Sequence, residues 1–153
     1  DGDSKIYLFS YQHEQLFKTS INMYLKNPIV GIGPNNYRKE CIKTIYNDGV
    51  NSCNTHPHNT YFQVAAELGI IGVFFLIIAL LYFVKILFVN FLTIIRYNGN
   101  SSITDYQICL AIYLVCSLWP ILPTLNFFNN YINVIYYLPL GFYMNSIYSN
   151  KNG

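Results

Sequence analysis

The apolar positions of this chain follow two regimes. Between His13 and Lys26 they are spaced, at Leu16, Phe17, Ile21, Tyr24 and Leu25. That is helical periodicity with one apolar face. Asn27-Pro28 ends the pattern, because a residue before proline avoids the helical region. The spacing predicts a short amphipathic helix over about 13–26, lying along a membrane surface or packed on a small domain. From Tyr61 onward the apolar positions become nearly continuous. About 20 such residues cross the roughly 30 Å of a bilayer core, and the run predicts spans over about 62–92, 106–123 and 131–148. Polar turns separate them, "YNGNSSITD" and "PTLNFFNN".

Composition agrees with this division. Only 10% of the 153 residues are charged, while 53% are hydrophobic and 18% aromatic. Soluble domains carry about a quarter charged residues. The pattern predicts an all-α polytopic membrane protein: a loop region over 1–60 carrying the surface helix, then a three-helix transmembrane region over 61–153. The first residue is Asp and no signal peptide is evident, so the chain is expected to be the C-terminal portion of a longer protein. Arg96 and Lys151 mark one side of the membrane as cytoplasmic by the positive-inside bias, which places residues 1–60 outside. Lys18, Lys26, Arg38, Lys39 and Lys43 make that outer region basic. Long loops are largely exempt from the bias. Nothing in the pattern suggests a nucleic-acid partner.

Two stretches carry candidate chemistry. "NPIVGIGPNNYR" holds Gly31, Gly33 and Pro34 in an irregular turn before Arg38. It has only the G-x-G of a dinucleotide fingerprint and no strand before it. "HNTYFQVAAELGIIG" begins at His58 and fits H-N-x9-G-x-x-G, with Asn59, Gly69 and Gly72. In this pairing, and in "NFFNN" followed by an apolar span, the chain resembles the O-antigen ligase and O-antigen polymerase family of bacterial membrane glycosyltransferases. The resemblance extends over residues 13–147. It departs at His13 and Phe17, where related sequences often carry Arg and Trp.

The resemblance implies a multi-pass protein of the bacterial inner membrane, with residues 1–60 periplasmic. It implies an undecaprenyl-pyrophosphate-linked glycan as donor, a glycolipid or glycan as acceptor, membrane lipid around the helices, and no cofactor. Such chemistry needs cations for the departing pyrophosphate and a base near the acceptor hydroxyl. His58 is the candidate catalytic base, since an imidazole is largely neutral near pH 7 and a helix N-terminus favours that form. Arg38 is the candidate for the pyrophosphate, because a guanidinium matches paired phosphate oxygens. Asn59 is a candidate substrate-binding residue that also caps the helix and orients His58. His56 reads as structural, and Gly69 and Gly72 as sites of close helix packing.

Cys41, Cys53, His56 and His58 could form a zinc site, but C-x2-H-x-H is not a zinc-finger spacing. A Cys41–Cys53 disulfide fits an oxidising compartment better and would stabilise by about 3 kcal/mol in the chain-entropy account. The expectation is therefore no metal. Cys109 and Cys116 read as small apolar filler in a helix. A transporter or flippase fragment is the rival function. It would more often show broken or charged helices near the midplane, whereas the stretch from Leu68 to Val84 carries no charge and Lys85 follows it. A non-catalytic membrane scaffold is a third reading, and it predicts that His58 and Arg38 tolerate alanine. Ligase and polymerase are not distinguished.

Overall fold

Helix α1 runs from Tyr11 to Lys26, and Ser10 caps it through a hydrogen bond from the His13 N–H. Such caps satisfy donors that the first turn leaves open. Glu14 near the start and Lys26 at the end complement the helix dipole. The computed structural model describes residues 10–47, 49, 52–96 and 103–152. Within them the secondary structure is helical: α1, the single turn α2 (Tyr37–Glu40), α3 (Thr60–Arg96), α4 (Asp105–Ser117) and α5 (Asn130–Asn152).

The chain forms two compact units. The first comprises residues up to Phe74 together with Pro120–Asn129; the second comprises Phe75–Trp119 and the residues from Asn130 on. Helix α3 contributes to both.

In the first unit, α1 buries Gln15, Leu16, Thr19, Ser20 and Met23. This stripe is rotated from the face the sequence predicts, and Ile21 and Leu25 are exposed. The reason is hydrogen bonding. The Thr19 and Ser20 hydroxyls donate to the carbonyls of Gln15 and Leu16, one turn back, so burying them leaves no donor unmade. Their small side chains admit Tyr37, whose hydroxyl donates to the Leu16 carbonyl at 3.1 Å. Met23, Tyr37, Cys41, Tyr46 and Ala66 form the core. Burial pushes the Tyr37 phenol well above its ordinary value.

Helix α3 is not one continuous rod. Gly69 adopts φ 64°, ψ −157°, which breaks the hydrogen-bond ladder. A broken helix leaves carbonyls unpaired on one side and N–H groups on the other. The glycine turn supplies the partners. The N–H groups of Ile32 and Gly33 donate to the Ala66 and Glu67 carbonyls, each at 2.9 Å. The Ile70 N–H donates to the Pro28 carbonyl at 2.8 Å, and the Ile71 N–H to the Ile29 carbonyl at 3.5 Å. The approach is backbone against backbone. A Cβ on Gly31 would collide with the Glu67 carbonyl group, and one on Gly69 with that of Ile29. Both glycines have positive φ, where other residues are strained. The close packing expected at Gly69 is thus with a loop, not with another helix.

In the second unit, Phe83, Ala111, Leu114 and Tyr143 join α3, α4 and α5. Phe83 and Tyr143 meet edge to face at 5.3 Å. A capping box of Thr104 and Gln107 opens α4. That helix closes at Ser117, short of the residue-123 limit expected for the second span; Trp119 and Pro120 lie beyond its end. Its 13 residues reach only about 20 Å. Cys109 and Cys116 lie in this helix, as expected, and are exposed, because the buried stripe of α4 follows Gln107, Ala111 and Leu114. Among the described residues one helix, Thr60–Arg96, is long and apolar enough to cross a membrane. The third expected span corresponds to α5, 23 residues with Pro139 inside. Residues 97–102, where the polar turn and cytoplasmic loop are expected, lie outside the described residues.

Candidate functional site

The segment from Cys53 to Asn59 connects the first unit's core to α3 and carries two of the chain's three histidines. Cys53 is joined to Cys41 as a disulfide, with the Cα atoms 5.1 Å apart. Cys41 follows α2, so the bridge ties the Arg38 turn to the histidine segment. At the far end Asn59 opens α3. Its Oδ1 accepts from the N–H groups of Tyr61 at 2.9 Å and Phe62 at 3.2 Å, and its Nδ2 donates to the Pro120 carbonyl at 2.7 Å.

His58, immediately before this cap, has φ 58°. A bulky residue with positive φ is a strained outlier, so surrounding contacts must hold it. The Thr124 N–H donates to the His58 carbonyl at 2.9 Å. On the side chain, Asn54 Nδ2 lies 3.2 Å from Nε2. The imidazole rings of His56 and His13 lie 4.2 Å and 5.6 Å from that of His58. Three imidazoles, two of them not expected at the site, therefore share one cluster. His58 is partly exposed and lines a small pocket with His13, Phe17, Asn59, Ile121 and Pro123. Phe17 stacks on Phe62 at 4.3 Å, which fixes one wall.

The surroundings of His56 and His58 disfavour their charged forms. Desolvation, and then the neighbouring His13, push the His58 imidazole below its ordinary value. For His56 the order is desolvation, then His58, opposed by a backbone hydrogen bond at Thr124. A base needs an unprotonated nitrogen at working pH, and the downward shift at His58 favours one. Among the described residues no group of three or more His, Cys, Asp or Glu is arranged to hold a metal ion.

A second polar layer lies behind the pocket. Thr60, Gln63 and Glu67 are buried on the first turns of α3. The Thr60 hydroxyl meets that of Thr124 at 2.8 Å. Gln63 Nε2 donates to Asn126 at 2.7 Å, and its Oε1 accepts from the Phe127 N–H at 2.9 Å. Glu67 accepts from the N–H groups of Tyr37 at 2.6 Å and Asn35 at 3.1 Å, and from Gln63 at 3.3 Å. Glu67 thus pins the glycine turn rather than facing the pocket. A polar i, i+3, i+7 stripe opening an otherwise apolar helix was the available signal for this layer.

Of the residues singled out in sequence, the structure brings His58 and Asn59 into one pocket. Arg38 is exposed on α2 and is not among the pocket's lining residues. Lys43 is paired with Glu40 at 2.7 Å. Comparison with curated proteins and with solved structures returns no match. A family model described as O-Antigen ligase matches residues 12–77. The matched segment contains all of α1 but its first residue, the glycine turn, the disulfide, the histidine segment and the break at Gly69. The 126–130 stretch lies beyond it. Over that segment, the chain is similar to the O-antigen ligase family.

Proposed function

We propose that this protein is a membrane glycosyltransferase that moves glycan from an undecaprenyl-pyrophosphate donor to an acceptor hydroxyl, with His58 as the base. The observation that carries the reading is His58 itself. It is held in a strained backbone conformation, desolvated, and set in a pocket at the start of the apolar helix, inside the family-matched segment. The acceptor oxygen attacks the anomeric carbon of the donor sugar, and the bond from that carbon to the pyrophosphate oxygen breaks. The hydroxyl proton passes to His58, and undecaprenyl pyrophosphate leaves as the anion. Arg38 supplies the guanidinium for that anion, and the disulfide keeps its turn tethered to the histidine segment. Asn59 acts by capping α3 and fixing His58, since both ends of its amide are engaged within the protein. Residues 1–60 face the periplasm in this reading, where lipid-linked donor and acceptor meet at the inner-membrane surface.

The test is transfer from a lipid-linked donor by the purified protein in lipid. Proton transfer by a placed side chain is worth roughly 10²–10⁴-fold, so His58→Ala is expected to lose at least about 10²-fold in turnover. His56→Ala loses much less. Full activity of His58→Ala removes the base assignment. Loss of activity on adding EDTA, with restoration by zinc, replaces it with a metal mechanism. Arg38→Lys keeps the charge but not the fork and is expected to weaken donor use; wild-type transfer by both Arg38→Lys and Arg38→Ala removes Arg38 from the donor site.

A further inference from the structure

The interaction between Asn54 and His58 fixes more than distance. The Thr55 N–H donates to Asn54 Oδ1 at 2.7 Å. An N–H requires an acceptor, so this bond settles which end of the amide is oxygen. The other end, Nδ2, is then the atom 3.2 Å from His58 Nε2. An amide nitrogen donates and does not accept. His58 Nε2 must therefore present its lone pair to Asn54, and the ring proton of the neutral imidazole sits on Nδ1.

We infer that Asn54 is a positioning residue that holds His58 as the Nδ1–H tautomer and covers its basic Nε2 until an acceptor hydroxyl displaces the amide. The inference rests on His58 being the base, and it adds which nitrogen takes the proton. Asn54 suits this task. Its side chain is exposed, so it can swing aside into water at small cost. Its backbone follows Cys53, which the disulfide anchors. When the hydroxyl replaces the amide, one N–H donor to Nε2 is exchanged for one O–H donor, and the lone pair is already aimed. The two other titratable groups facing the ring, His13 from α1 and His56 from the same segment, are imidazoles. His13 disfavours a charged His58, and neither imidazole selects its tautomer. Asn54 does both, because protonated Nε2 would point an N–H at another donor.

The experiment is nitrogen NMR of the ¹⁵N-histidine-labelled protein in lipid across pH, with the His58 signals assigned by their loss in His58→Ala. In the wild-type protein His58 Nε2 is expected to show the lone-pair type shift and Nδ1 the protonated type. Asn54→Ala should shift the population toward Nε2–H. Asn54→Asp should raise the His58 pKa by roughly one unit or more, because a carboxylate favours the charged ring, and it should move the acidic limb of kcat/KM upward with it. A merely structural Asn54 would leave both tautomer and limb where they are. A protonated Nε2 in neutral wild-type His58, or an unchanged tautomer in Asn54→Ala, overturns the inference. The NMR readouts, tautomer and pKa, do not depend on turnover, so they stand or fall separately from the His58→Ala transfer assay.

Discussion

The two units of this chain are held together by different forces. The first is wired by polar groups: Glu67 to the Tyr37 and Asn35 N–H groups, Gln63 to Asn126 and Phe127, Thr60 to Thr124, Asn59 to Pro120. The second packs through Phe83, Ala111, Leu114 and Tyr143, while Phe75, Ile78, Leu81, Phe88 and Phe91 stay exposed. In the most apolar window of α3 only 11% of residues are buried. In lipid such a surface is solvated by acyl chains and needs no protein partner, and helix association gains little from hydrophobicity. Hydrogen bonds are directional and demand particular partners; apolar contact in lipid does not. The first unit therefore specifies a site, and the second supplies an apolar body.

If this contrast is correct, substitutions of similar size should cost very different amounts in the two units. The largest effect is expected at Gly31. Gly31→Val puts a branched side chain against the α3 backbone at positive φ, and should cost about 4 kcal/mol or more. Protease protection of the first unit should collapse, while circular dichroism keeps the helices of the second. Next comes the disulfide. Cys41→Ala with Cys53→Ala should lower the denaturation free energy of the first unit by about 3 kcal/mol; unchanged stability, with free thiols in freshly thiol-blocked wild-type protein, would mean that the bridge does not form. Glu67→Ala follows, at about 1–3 kcal/mol, since the Tyr37 and Asn35 N–H groups lose their acceptor.

Phe83→Ala sharpens the comparison from the other side. In a water-solvated core such a truncation costs about 3–5 kcal/mol. In lipid the transfer contribution is largely absent, and a loss of only about 1–2 kcal/mol is expected, measured by denaturation in mixed micelles. A cost equal to that of a soluble core would erase the distinction.

The smallest effect is that of pH. His56 and His58 are both pushed below their ordinary values, so the unfolded chain binds protons that the fold resists. Stability then rises with pH where the unfolded state holds more protons. The contribution is neutral above about pH 6.5, the unperturbed histidine value, and becomes destabilising as pH falls below it. Thermal denaturation of wild type against His56→Gln from pH 7.5 to 5 should show a smaller acid loss in the variant. Equal losses would place the histidines outside the linkage.

Much of this was legible in one dimension because the signals are local. Asn59 opens a helix by capping, Asn27-Pro28 closes one, and an unbroken apolar run must be buried in something. The face of α1 was not legible. Thr19 and Ser20 look polar in a sequence, and only their bonds to the preceding turn make them suitable for burial. The end of α4 was overshot because the apolar residues continue past Ser117 to Leu122, and composition does not register where the helical backbone ends.

The sequence by itself determined the helical class, the long apolar helix, the two glycine motifs and the place of the histidine segment ahead of that helix. Each depends on residues near one another along the chain. Tertiary structure alone decided that the motifs are two halves of one object, the turn at 28–33 repairing the break at Gly69. It also decided that His13, His56 and His58 meet, that Glu67 pins a loop, and that Asn54 faces Nε2. These are relations between separated backbones or between the atoms of particular rotamers. No periodicity encodes them, because a hydrogen bond is made by position in space, and the chain must fold before those positions exist.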